Sequence, residues 1–242
     1  MNDTRRTNAY IGAMILMGLG TAGYASFANH AWHGYFALAV LALALASSRM
    51  KVKLPGMNGN MSVNLPFLLT AAVNLSSAEA VFITCASTVV QCWPRKNAKF
   101  NPQQMAFNLS MMAFASSAAS LIFHATAQSA ALWHSSTIGL VLATVALFVG
   151  QTAPVAGIVA VTEKKSPAHV WLNLAQLSFP YYVVGAGVTS FVEAMTSHMG
   201  WGLALAVFPV MYVIHRSYRL YFSAMVESLH PDVLVRGASA GA

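Results

Sequence analysis

The chain has 242 residues, of which 57% are hydrophobic and only 8% charged, with a mean hydropathy of +0.59. Water-soluble domains carry about a quarter charged residues, so this composition excludes an ordinary soluble fold and points to helices packed in lipid. The net charge of +7 fits the same reading, because basic residues of membrane proteins gather on the cytoplasmic side. No RNP-like, helix-turn-helix or zinc-finger pattern accompanies the charge, so nucleic acid is not an expected partner.

Apolar runs recur along the chain at 9–28, 34–48, 62–75, 78–93, 103–124, 136–161, 169–192 and 201–222. An isolated span must satisfy its own backbone hydrogen bonds, and strict two-residue alternation is absent, so helices are expected and a β-barrel is not. The expected fold is all-α: a polytopic transmembrane helical bundle of about eight spans over residues 1–222, with a short cytoplasmic tail at 223–242. Arg5 and Arg6 precede the first run, but no small-residue cleavage pattern follows it, so it reads as a retained first helix. The third and fourth runs rise only about 21–24 Å at 1.5 Å per residue, against a core of roughly 30 Å. They either span with local adjustment or form a re-entrant hairpin that leaves six full spans. Between them, Ser76 and Glu79 have capping-box spacing, which gives Glu79 a structural reason to be there.

Charge supplies an orientation. With the N-terminus inside and eight passes, Arg5, Arg6, Arg49, Lys51, Lys53, Arg95, Lys96, Lys99, Lys164, Lys165, Arg216, Arg219 and Arg236 all fall inside; these are all 13 basic residues. The rule relating positive charge to the cytoplasmic face then places both termini in the cytoplasm of a cell with an inner membrane.

Pro102 and Pro167 stand where helices begin. Each is followed six residues later by an Asn-Leu pair, at Asn108 and Asn173, and Asn64 is a looser third copy. Parallel repeats of helical hairpins would produce this pattern. Asn60, Ser62 and Asn64 lead into the third run, and the spacing of four puts Asn60 and Asn64 on one helix face. Pro66 is expected to kink that helix or to free a carbonyl near Ser62. Asn173 and Gln176 also share a face. Polar groups in a membrane segment turn to the bundle interior or a cavity, so Asn60, Ser62, Asn64, Asn108, Asn173 and Gln176 are the candidate ligand-lining residues. Interhelical bonding without a ligand is the alternative.

Cys85 and Cys92 lie seven apart on one helix face, as packing residues. His30, His33 and His134 are weak candidate metal ligands, and Trp32 and Trp133 beside them suit an aromatic belt. No H-E-x-x-H, haem-attachment, nucleophile-elbow, P-loop or dinucleotide pattern is present. No cofactor is expected, and nothing nominates an enzyme.

The segment from Lys51 to Pro66, the short hairpin after it and the Phe107–Asn108 entry into the next helix resemble the multi-helix membrane sensor regions that precede HD-GYP phosphodiesterase and GGDEF cyclase domains in bacteria. The resemblance covers about half the chain. It implies detection of a signal or ligand in the membrane, with output through a cytoplasmic signalling partner, since no such domain follows Tyr221. The alternation of short and long spans is also similar to the small substrate-binding membrane subunits of vitamin uptake systems, which implies transport with an energising partner.

Overall fold

The computed structural model describes residues 3–28, 30–53, 60–94, 100–127 and 135–199, together with Pro209, Tyr212, Val213, Arg216, Ser217 and Leu220, which are helical. Among the described residues seven continuous helices follow one another: α1 (Asp3–Ala28), α2 (Tyr35–Ser48), α3 (Leu65–Asn74), α4 (Ser77–Cys92), α5 (Pro102–Ala127), α6 (Ser135–Glu163) and α7 (Pro167–Met199). Among the described residues three stretches, Thr4–Ala28, Pro102–Ala127 and Ser136–Glu163, are long and apolar enough to cross a membrane. The sequence expectation of an all-α fold is met, apart from one small hairpin.

That hairpin corrects the reading of the polar segment. Lys51–Lys53 (β1) and Asn60–Ser62 (β2) pair antiparallel, with Lys51 opposite Ser62 and Lys53 opposite Asn60. The main chain of Val63 then donates to Met50 O at 3.1 Å, closing the pair against the end of α2. Asn60 therefore does not share a helix face with Asn64. The polar residues at 60, 62 and 64 follow a strand's period of two. The side chains of Asn60 and Ser62, and the turn dipeptides Pro55–Gly56 and Asn58–Gly59, lie outside the described residues. Pro66 sits in the first turn of α3, where a missing amide hydrogen breaks no helical bond, so it does not kink the helix.

Helix α3 is the centre of the molecule. Every residue from Leu65 to Val73 is buried, and α2, α4, α5, α6 and α7 all pack against it. A helix apolar all round needs such an enclosure. Outside it, α5 packs on α1, α4 and α6. Two glycines permit the close approaches: a β-carbon on Gly18 would collide with the Ser110 carbonyl, and one on Gly150 would come within 2.8 Å of Ala115 Cβ.

Side-chain contacts fix the heights of the elements. Asn8 accepts from Gln103 at 2.7 Å, so α1 and α5 start at one end, here called the basic end. At the other end the main-chain carbonyl of Leu75, in the α3–α4 turn, accepts from His124 Nε2 near the close of α5 at 3.1 Å. Between these limits α4 and α5 run antiparallel through Ser77–Ser120, Thr84–Ser116 and Asn108–Cys92 contacts.

Candidate functional site

The first turn of α3 begins at mid-height in the bundle. Its Asn64 reaches Ser87 at 3.4 Å, and Ser87 lies on α4 between the residues that face Ser116 and Asn108, near the middle of α5. Independently, the Leu65 amide donates to the Tyr181 hydroxyl at 3.0 Å, and Leu65 packs on Gly185, whose added β-carbon would lie 2.8 Å from Leu65 Cδ2. Both positions are close to the centre of α7. The chain thus runs down α2, leaves the helix, passes through β1 and β2, and resumes as a helix only when it has returned to mid-height.

The polar groups of this turn are unequally satisfied. Asn64 accepts from the Phe67 and Leu68 amides through its main-chain carbonyl, at 3.1 Å each. Tyr181 caps Leu65, and Thr189 donates to the Pro66 carbonyl at 3.2 Å. The Asn64 side chain does not cap its own helix. It is 5% exposed, its amide has one long contact to Ser87, and no donor among the described residues meets its side-chain oxygen. Ser87 has its own partner, donating to Thr84 O at 2.9 Å. A buried amide with unused hydrogen-bonding capacity is costly.

Elsewhere along α4 the polar groups are matched. Ser77 and Ser120 are 2.9 Å apart, and Thr84 donates to Ser116 at 3.0 Å. All four are buried. Small hydroxyl residues of this kind let helices approach closely and bond across the gap. This ladder is packing chemistry, and Asn64 is the member whose bonding is incomplete.

At the end opposite the basic residues, Glu79 forms the expected capping box: Ser76 accepts from the Glu79 amide at 3.3 Å and Glu79 accepts from the Ser76 amide at 3.0 Å. The same carboxylate also takes the His33 amide at 2.7 Å and the His33 Nδ1 at 2.6 Å. The α1–α2 loop is therefore clamped to the tip of the α3–α4 hairpin.

The six candidate residues are dispersed. Asn64 is central. Asn108 is half-buried and reaches Cys92 Sγ at 3.4 Å toward the basic end. Asn173 and Gln176 lie on an exposed face of α7, with Asn173 3.3 Å from His169. Asn60 and Ser62 belong to β2. The asparagines at 64, 108 and 173 thus reach separate partners. His33 serves Glu79, His30 is exposed and His134 lies outside the described residues. Among the described residues no three His, Cys, Asp or Glu side chains gather as a metal site would require. Sequence reasoning missed Tyr181, Ser87 and Thr189, whose partners lie 23 to 123 residues away. No known protein family, curated protein or solved structure matches this chain.

Proposed function

We propose that this protein is a multi-pass membrane bundle, with both termini cytoplasmic in a bacterial inner membrane, that binds or senses a small ligand without catalysing a reaction. The observation that carries the ligand is Asn64: a buried amide whose oxygen meets no donor among the described residues, at the mid-height start of an interrupted helix. Irregular backbone at such depth is tolerated where protein or a cavity surrounds it, and broken helices of this form build ligand sites in membrane proteins. A neutral amide beside the Tyr181 hydroxyl and Ser87 suits an uncharged polar ligand. Every basic residue falls on one side of an eight-pass arrangement, and the clamp between the hairpin tip and the α1–α2 loop supports α3 and α4 as a crossing pair. The resemblance to membrane sensor regions fits this reading, with output through a cytoplasmic partner. The interrupted helix equally favours a second reading, a transporter or the substrate-binding subunit of one.

The test is Asn64→Leu in lipid nanodiscs. Without ligand, the variant is expected to melt at or above the parent, because Ser87 keeps its bond to Thr84 and an unmatched polar group has gone. Uncharged polar solutes should raise the melting temperature of the parent and not of the variant. A loss of about 1 kcal/mol or more in the variant, with no solute stabilising the parent, would make Asn64 a packing residue and remove the ligand reading.

A further inference from the structure

Helix α7 is the longest of the described helices at 33 residues, yet it is absent from the three described stretches apolar enough to cross a membrane by themselves. Tyr181, Tyr182 and Thr189 turn inward, but a second set of polar residues does not. His169, Asn173, Gln176, Phe179, Val183 and Gly187 are all exposed, and the intervals of three, four and seven between them place them along one helix face. Gln176 stands nine residues beyond Pro167, about 14 Å along the axis. That carries it past a headgroup layer of roughly 5–8 Å and into hydrocarbon. Pro180 is inside the helix and brings no amide hydrogen to the Gln176 carbonyl four residues earlier, so a main-chain acceptor is also freed on this face. A β-carbon on Gly187 would meet nothing within 4 Å, which leaves a notch beside Val183. Lipid tails cannot hydrogen-bond these groups.

Resting on the membrane reading above, we infer that this face of α7 is the contact between two copies of the chain. Two copies inserted in the same direction are related by a two-fold axis along the membrane normal, so each residue near that axis meets its own counterpart. An amide side chain both donates and accepts, so Asn173 and Gln176 can each bond to themselves across the axis, which few other side chains can do. The Gly187 notch admits close approach farther along the helix, as small residues do at such crossings.

The experiment uses the full chain in native membranes, with Cys85→Ala and Cys92→Ala, and single cysteines at Phe179, Val183 or Gly187. Mild oxidation should give disulfide-linked dimers at α7 positions. Val145→Cys, at an exposed site on α6, should stay monomeric. Adding Asn173→Leu and Gln176→Leu should lower the dimer constant roughly tenfold. The unaltered chain should have twice the 25.7 kDa protomer mass by native mass measurement, which covers the case in which cysteine replacement impairs folding. Linking that is absent, equally strong at Val145, or indifferent to the leucine pair overturns the interface, as does a monomer mass. An alkaline carbonate wash separates the two claims: release of the chain from membranes would defeat the membrane reading itself, whereas a retained monomer defeats only the dimer.

Discussion

The Glu79 carboxylate holds two pieces of chain that are 46 residues apart, the start of α4 and the His33 loop. Its side chain is 5% exposed against 41% for His33, so the two partners are not equivalent. Glu79→Ala removes the cap and leaves the Ser76 and His33 amides without their acceptor. It should cost about 2–3 kcal/mol, the sum of a lost cap and newly unmatched donors. His33→Ala leaves the capping box intact and lets water replace an exposed ring, so it should cost under about 1 kcal/mol. Unfolding midpoints in micelles would check the pair, and equal losses would contradict the assignment. The capping box was legible in the sequence because both partners sit within one turn. The clamp was not, because nothing local ties His33 to Glu79.

Elements are held apart or brought together by single small residues. On α1, Gly18 lies against the Ser110 carbonyl of α5, whereas Gly20 has open space. Gly18→Ala must push the two helices apart and should destabilise by 1–3 kcal/mol, roughly the cost of overpacking. Gly20→Ala should be neutral or gain roughly 0.4–1 kcal/mol by restricting the unfolded chain. Thermal unfolding of the two variants side by side gives the comparison, and a loss at Gly20 would count against the packing of α1. At this scale the long runs were readable from hydropathy, and Pro102 and Pro167 do open α5 and α7. The β-hairpin was not foreseen. Asn60 and Asn64 satisfy a helical spacing of four as well as a strand's spacing of two, and only the pairing with Lys51–Lys53 decides between them.

For the molecule as a whole, the proposed orientation rests on charge. In the eight-pass arrangement, single cysteines at Lys164 and His198 should react with impermeant reagents from opposite sides of the membrane. Labelling of both from one side would remove that topology. The apolar lengths of α3 and α4 raised a doubt that length could not resolve, since α3 has only ten residues. What completes it is distant: the Leu65 amide and the Pro66 carbonyl are met by Tyr181 and Thr189, 116 and 123 residues later. This imposes an order on biosynthesis. While the ribosome is still making α4, α5 and α6, the Leu65 amide lacks its Tyr181 partner and the Pro66 carbonyl lacks its second donor, Thr189, and a ten-residue helix is too short to cross lipid alone. The start of α3 is completed only when α7 emerges, so the most enclosed of the described helices is among the last to be closed in.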